Sequence, residues 1–255
     1  AAVTPSLQQE RAGTTRVVDV NLGGAINALD AVARIPSVQR FIFVSSSGVY
    51  GLTAQAAHGT IGEDAPLVLD NLYAITKRSA ELLTARYSVL HGKPMCAVRL
   101  GPIYGPMERP SASRERLSAP GQLLAAWRTG RSVTVAGPDV TRDWTYAGDV
   151  GEAIWALLAA STWRFGVYNL SYGQTVTLRE LVDAFVRQGV AASWVDQVKD
   201  ADIAMVPAQT RTPMDGTRLH ADSGYRPQTD PADGVARTIA LEKSVDSWTA
   251  EPQFD

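Results

Sequence analysis

A tyrosine and a lysine four residues apart carry the sharpest chemical signal in this sequence. They are Tyr73 and Lys77, near the start of a segment with helical periodicity. Side chains four residues apart lie on the same face of a helix. An ammonium group beside a phenol favours the phenolate and lowers the tyrosine pKa from its usual value of about 10. Tyr73 is therefore predicted to act as a general base toward a substrate hydroxyl, and as a general acid in the reverse direction.

Three serines precede this helix, at the end of a short apolar segment. Ser45, Ser46 and Ser47 follow residues 41–44, which favour a buried strand. Ligands of α/β proteins bind at the carboxyl ends of parallel strands. A serine hydroxyl at that place can donate to a carbonyl oxygen or share the proton of a hydroxyl. Serine is also common in ordinary strand-end turns, but its presence in the same βα unit as the Tyr–Lys pair predicts a catalytic site.

The elements that must position these groups alternate along the first hundred residues. Periodicity predicts helices over residues 15–35 and 72–91, the second capped by Asp70 or Asn71 and closed by Gly92. Strands are predicted over residues 41–45 and 95–100. This alternation is typical of a parallel sheet covered by helices.

The second half of the sequence has less regular elements, which predict a smaller lobe built onto the sheet. Residues 101–120 form a loop of the length usually used for binding. Asp149 is predicted to cap one helix and Thr177 another. The predicted helices cover 122–129, 149–160, 177–188 and 232–248, and the predicted extended segments cover 133–136, 142–146 and 167–171.

Composition excludes several classes of function. The 255 residues are 45% apolar and 20% charged with a net charge of −2, which gives no basic surface for nucleic acid or membranes. No apolar run approaches the ~20 residues of a membrane span. The single cysteine, Cys96, fits a reducing compartment, so a cytoplasmic location is expected. The histidines at 58, 91 and 220 lack metal-ligand spacing, so no metal site is predicted.

Five segments together resemble the extended short-chain dehydrogenase/reductase superfamily, in its NAD-dependent epimerase/dehydratase branch. They are FIFVSSSGVYG, YAITK, VRLGPIYGP, VTVAGPDVTRDWTYAGDV and VYNLS. The resemblance implies a Rossmann-type, doubly wound parallel sheet that binds NAD or NADP, and a smaller α+β C-terminal lobe that binds the substrate. The implied boundaries are 1–100 and 148–172 for a partial NAD(P)-binding domain, and 101–147 and 173–255 for the lobe.

The resemblance also implies roles for individual residues. It makes Ser46 the catalytic serine, Tyr73 the acid/base, and Lys77 the group that tunes Tyr73 and binds the nicotinamide ribose. The implied cofactor-binding residues are Ala1, Ala2, Asn21, Ser45, Tyr73, Lys77, Pro102 and Ile103. The implied substrate-binding residues are Ser47, Arg109, Arg142 and Arg211.

The largest departure from the family pattern lies at the N-terminus. Residues 1–2 match the end of the family's fourth strand, and the glycine-rich turn and ribose-reading residue that precede it are absent. A truncated chain whose sheet lacks its first strands is therefore expected. NAD is favoured over NADP, although the residues that distinguish them are missing.

Residues beside the serine narrow the reaction that the resemblance implies. Related 4,6-dehydratases have an Asp-Glu pair where Ser47 and Gly48 stand, so dehydration is disfavoured. Related epimerase-reductases have a cysteine at the position of Ser47. Two reactions remain: 4-epimerisation of a nucleotide-activated sugar, and oxidation of a sugar acid or free sugar.

Two positions favour different substrates. Arg142 matches a family arginine that binds the diphosphate of a sugar nucleotide, which favours 4-epimerisation of a nucleotide-activated sugar. Pro102 replaces an asparagine usual in sugar-nucleotide epimerases, which favours the second. A third hypothesis is a catalytically incompetent fragment that has lost the glycine-rich cofactor loop. Helices 15–35 and 72–91 resemble the pair that forms a dimer interface in this superfamily, so a homodimer is expected.

Overall fold

The computed structural model describes residues 2–51, 59–110 and 117–245. The helices are α1 Leu7–Ala12, α2 Thr15–Val18, α3 Gly24–Arg34, α4 Leu72–His91, α5 Ala119–Thr129, α6 Ala147–Ala159, α7 Leu178–Arg187, α8 Thr217–Ser223 and α9 Pro231–Val245. The strands are β1 Phe41–Ser46, β2 Met95–Leu100, β3 Ile103–Tyr104, β4 Val133–Ala136, β5 Thr141–Arg142, β6 Thr145–Tyr146, β7 Val167–Leu170, β8 Val176–Thr177, β9 Ala192–Trp194 and β10 Ile203–Ala204. No described helix has the length and apolar character needed to span a bilayer.

The main sheet is parallel, in the order β1–β2–β7. Its register pairs Ser45 with Arg99, and Arg99 with Asn169, so three polar side chains lie in a row near the carboxyl ends of the strands. Apolar residues of β2 and β7 pack against α6 and form one core cluster. The predicted helix–strand–helix–strand order of the first hundred residues is confirmed.

The helix predicted over residues 15–35 is present but contains a wider turn. The α-helical segments α2 and α3 are joined by a π-helical turn, Asp19–Gly23, and the last helical residue is Arg34. Such turns within α-helices often occur at functional sites. Here the turn contains Asn21, which is buried.

Local signals at both ends fix α4. The Asn71 side chain accepts a hydrogen bond from the Ala74 N–H at 2.9 Å and caps the first turn. At the other end, Gly92 adopts a left-handed conformation with φ of 61°, which glycine does without a Cβ penalty. The predicted bounds of this helix are confirmed.

A second core lies away from the main sheet. It packs α5, α7 and α9 around a three-stranded sheet, in the order β10–β4–β9. Leu123, Leu181 and Phe185 are at most 1% exposed within it. Two two-stranded pairs, β3–β6 and β5–β8, complete the described sheets.

Three local predictions were wrong. Helix α5 begins at Ala119 with Ser118 as its cap, three residues before the predicted start. The segment 142–146 is not one extended piece, because β5 and β6 pair with different strands. Asp149 does not cap α6, which begins at Ala147.

The Asp149 carboxylate is instead used by a distant part of the chain. It accepts hydrogen bonds from the backbone N–H groups of Gln228 and Thr229, at 3.0 and 2.9 Å, and from the Thr229 hydroxyl at 2.7 Å. It therefore anchors the segment that leads into α9.

Candidate active site

The strand-end serine and the tyrosine meet on either side of a glycine. Ser46 is the last residue of β1, and its Oγ accepts a hydrogen bond from the Gly48 N–H at 3.1 Å. A Cβ atom at Gly48 would lie 3.3 Å from Tyr73 Cε1 and 3.4 Å from Ser46 Oγ. The Tyr73 ring, in the first turn of α4, thus packs against the turn that Ser46 begins. A larger residue at position 48 would push the two apart.

Lys77 lies one helical turn beyond Tyr73 and is 9% exposed. Its Nζ donates to the Val44 carbonyl oxygen at 2.8 Å, and lies 5.7 Å from the Tyr73 ring centroid and 5.1 Å from that of Phe43. Burial lowers the pKa of Lys77, and the negative charge of Glu81 opposes that shift. The ammonium group is therefore placed beside the Tyr73 ring as the spacing predicts.

A cavity of about 420 Å³ adjoins Lys77, along β1. Its lining includes Lys77, Asn21 and Ala2, together with the small residues Gly24 and Ala25. Among the described residues, this lining does not include the predicted contacts Ser45, Tyr73, Pro102 or Ile103. The predicted contact Ala1 lies outside the described residues. Three of the predicted cofactor contacts, Ala2, Asn21 and Lys77, thus line one cavity.

Asn21 ties together three segments around this cavity. Its Oδ1 accepts from the Val3 N–H at 2.7 Å, while its Nδ2 donates to the Val3 carbonyl at 3.0 Å and to Thr76 Oγ1 at 3.1 Å. Thr76 is the neighbour of Lys77 on α4. Asn21 therefore anchors the N-terminal segment to the helix that carries the Tyr–Lys pair.

A buried hydrogen-bond network that the sequence analysis did not identify lies behind the serines. Ser45 Oγ donates to Glu81 Oε1 at 2.6 Å, and Arg99 binds both oxygens of the same carboxylate at 2.9 and 2.8 Å. Arg99 also donates to the Tyr50 hydroxyl at 2.8 Å, which in turn donates to Asn169 at 2.8 Å. The Ser45 hydroxyl therefore points into this network.

One predicted substrate-binding arginine, Arg211, reaches the serine turn, and its charge acts on a second, Arg142. The Arg211 guanidinium donates to Ser47 Oγ at 3.4 Å, and Arg142 Nε donates to the Gln209 carbonyl at 3.1 Å. Burial, and then the charge of Arg211, lower the pKa of Arg142 to about 10. The Asp143 carboxylate offsets part of the positive charge of both arginines. The two guanidinium groups together still favour a ligand with negative charge.

The other predicted contacts have different surroundings. Arg109 is exposed, and its charge helps to lower the pKa of Glu242 after the stronger effect of Arg128. The Pro102 carbonyl accepts from the Thr145 N–H at 2.8 Å, and Ile103 pairs with Thr145 in the β3–β6 ladder. Neither Pro102 nor Ile103 is buried.

Comparison with known sequences identifies a family pattern over most of the chain. A model described as the NAD dependent epimerase/dehydratase family matches residues 1–171. The chain is 31% identical over 235 residues to a dTDP-glucose 4,6-dehydratase of Streptomyces griseus, a match that covers 91% of the chain and 66% of that protein. It is 28% identical over 259 residues to a probable UDP-glucuronate 4-epimerase of Rhizobium meliloti, with 94% and 71% covered. The chain thus spans about two thirds of the length of these relatives.

Solved structures with the same fold come from the same group of enzymes. UDP-glucose 4-epimerase from Thermotoga maritima, solved with UDP-glucose, superposes with a TM-score of 0.78 at 19% identity over 96% of this chain and 76% of that one. RMD from Pseudomonas aeruginosa, complexed with NADPH, gives 0.75 at 26% identity over 95% and 79%. A dTDP-glucose 4,6-dehydratase from Streptomyces venezuelae, with NAD and TYD bound, gives 0.71 at 26% identity over 97% and 73%. The predicted Rossmann-type α/β fold is confirmed.

Proposed function

Because the chain belongs to the NAD-dependent epimerase/dehydratase family, we propose that it is an NAD(P)-dependent enzyme acting on a secondary hydroxyl of a nucleotide-activated sugar, with 4-epimerisation as its reaction. The observation that carries the proposal is the packing of Ser46 and Tyr73 on either side of Gly48, with the Lys77 ammonium 5.7 Å from the tyrosine ring. A nucleotide sugar is favoured by the names of the relatives, which include epimerases of UDP-sugars.

Each residue of this group has a distinct task. Tyr73 takes the proton of the sugar hydroxyl while the carbon that bears it is oxidised to a ketone, and it returns a proton when the ketone is reduced. Lys77 stabilises the tyrosinate and binds the ribose of the cofactor. Ser46 donates a hydrogen bond to the reacting oxygen. NAD(P), when bound, supplies the hydride acceptor and donor.

Epimerisation is favoured over dehydration by the residues that follow Ser46. Elimination of water needs a further acid and base, and Ser47 and Gly48 supply neither. Gly48 also has little room for a side chain, since even a Cβ atom there would lie 3.3 Å from the Tyr73 ring. A side chain at this position would require the Tyr73 ring or the Ser46 hydroxyl to shift slightly.

The arginine pair supports a diphosphate-containing substrate. The charge of Arg211 disfavours the charge of Arg142, and Arg211 reaches Ser47 in the serine turn. Arginine binds phosphate oxygens through bidentate, charge-assisted hydrogen bonds. A diphosphate would neutralise the two cations and hold the sugar next to Tyr73.

The direct test is conversion of UDP-sugars by the full chain. UDP-glucose and UDP-glucuronate are incubated separately with NAD⁺ and followed by proton NMR of the anomeric signals. Appearance of the 4-epimer of either sugar is expected. If neither sugar changes, and neither raises the melting temperature, the nucleotide-sugar proposal is wrong.

A dehydrogenase of a sugar acid or free sugar is the second candidate, and Pro102 is the observation that favours it. Proline has neither a backbone N–H nor a side-chain amide for a sugar-nucleotide contact. This candidate predicts net formation of NADH with a sugar acid and no thermal shift with a UDP-sugar. The first candidate predicts no net formation of NADH with a sugar acid, and a thermal shift with a UDP-sugar.

A further inference from the structure

The buried pair of Glu81 and Arg99 connects the elements on which the catalytic groups stand. Both residues are 2% exposed. Arg99, on β2, contacts both oxygens of Glu81, on α4, at 2.9 and 2.8 Å. Glu81 lies eight residues after Tyr73, so the pair fixes the helix of the tyrosine against the sheet. The hydrogen bonds and charge of Arg99 outweigh burial and lower the pKa of Glu81, which keeps the pair charged.

The same pair holds both ends of the turn that Ser46 begins. On the N-terminal side, Ser45 Oγ donates to Glu81 Oε1 at 2.6 Å. On the C-terminal side, Arg99 Nη1 donates to the hydroxyl of Tyr50, the last residue of the Ser47–Tyr50 turn, at 2.8 Å. The Arg99 guanidinium also lies 4.9 Å from the Tyr50 ring centroid.

We propose that the Glu81–Arg99 pair is a clamp that positions Ser46 against Tyr73, acting through Ser45 and Tyr50 on the two sides of the serine turn. The proposal rests on the acid–base role proposed for Ser46 and Tyr73. Glu81 and Arg99 are positioning residues, because each acts on the reacting groups through another side chain. Displacement of a catalytic group by about 1 Å can cost on the order of 100-fold in rate.

The test removes the tether at Ser45 and leaves the ion pair intact. Loss of either charged partner would leave the other buried and unpaired, whereas in Ser45→Ala the Glu81 carboxylate keeps its contacts with Arg99 and Arg78. Ser45→Ala is expected to lower kcat with a UDP-sugar about tenfold while KM stays within about twofold. Ser45→Thr, which keeps the hydroxyl, is expected to restore kcat to within about threefold of wild type.

Amide exchange at Gly48 tests the clamp without any turnover. The Gly48 N–H donates to Ser46 Oγ, so its exchange rate reports on the order of the serine turn. Ser45→Ala is expected to speed this exchange about tenfold. The matched control is Thr84→Ala, which removes a buried hydroxyl on α4 that donates to the Ala80 carbonyl. This variant is expected to leave the Gly48 exchange rate unchanged.

The outcomes separate the clamp from the proposed function. An unchanged Gly48 exchange rate in Ser45→Ala overturns the clamp, whatever kcat does. A loss of kcat that Ser45→Thr fails to restore also overturns it. If the wild-type chain converts no UDP-sugar and no UDP-sugar raises its melting temperature, the proposed function fails. The Gly48 exchange rates alone then decide whether the clamp exists.

Discussion

The Lys77 ammonium is buried beside a tyrosine ring, and the proposed mechanism depends on its charge. With Nζ 5.7 Å from the Tyr73 ring centroid, the positive charge favours the tyrosinate form. We predict that Lys77→Met lowers kcat at neutral pH at least about tenfold and moves the acidic limb of the kcat–pH profile to higher pH. The acidic limb moves to higher pH because the tyrosinate loses its neighbouring cation, which raises the pKa of Tyr73. An unmoved acidic limb would contradict this role.

The arginine pair provides a second prediction at the residue scale. If Arg142 and Arg211 bind a diphosphate, removal of one guanidinium removes charge-assisted hydrogen bonds worth about 1.5–3 kcal/mol. Arg142→Met is therefore expected to raise KM for a UDP-sugar about 10- to 100-fold, with kcat within about threefold. The control Arg131→Met removes a surface arginine that pairs with Asp202 at 3.3 Å, and it should leave KM unchanged. A larger loss in kcat than in KM would place Arg142 in the chemical step instead.

At the scale of elements, the left-handed conformation at the end of α4 explains why a glycine stands at position 92. Gly92 has a φ of 61°, a conformation that costs an L-residue about 1 kcal/mol. Gly92→Ala is expected to lower the free energy of unfolding by about 1 kcal/mol in urea titrations. The matched control is Gly151→Ala, in the exposed interior of α6 with open space at its Cβ. That change should raise the free energy of unfolding by about 0.5–1 kcal/mol. If both variants change the free energy of unfolding in the same direction, this account is wrong.

Capping residues in the sequence correctly predicted those helix ends that depend only on contacts within the same helical turn. Asn71 and Gly92 predicted the ends of α4, and Thr177 predicted the start of α7, because each of these signals acts within one turn of helix. The prediction that Asp149 caps a helix was wrong, because its carboxylate binds the backbone of residues 228–229, about eighty positions away in the sequence. Sequence spacing carries no information on such a contact.

The same distinction applies to the candidate site. Tyr73 and Lys77 share one helix face, and the strand-end position of Ser46 follows from the βα unit, so the meeting of these three could be predicted. The Glu81–Arg99 pair could not, because it depends on how α4 lies across β2. The approach of Arg211 to Ser47 depends on the path of the chain between α7 and α8.

At the scale of the whole molecule, α4 presents an apolar stripe to solvent. Ile75, Leu82 and Val89 are 42%, 55% and 74% exposed and are seven residues apart, so they lie on one face of the helix. We propose that this face joins two copies of the chain. Light scattering should give twice the 27.3 kDa mass of one chain. Leu82→Lys should shift the mass to the monomer, whereas Leu241→Lys, on α9 and 44% exposed, should not. A wild-type monomer would contradict the proposal.

The central claim is that Tyr73 is the proton-transfer group of a nucleotide-sugar oxidoreductase, and its hydroxyl can be removed alone. The decisive measurement is kcat of Tyr73→Phe with a UDP-sugar, beside the matched control Tyr87→Phe, which removes another hydroxyl from α4, one that donates to Asp30 at 2.7 Å. General acid–base catalysis is worth about 10²–10⁴-fold, so kcat should fall by that factor in Tyr73→Phe and stay within about twofold of wild type in Tyr87→Phe. A Tyr73→Phe variant that turns over as fast as wild type would contradict the account.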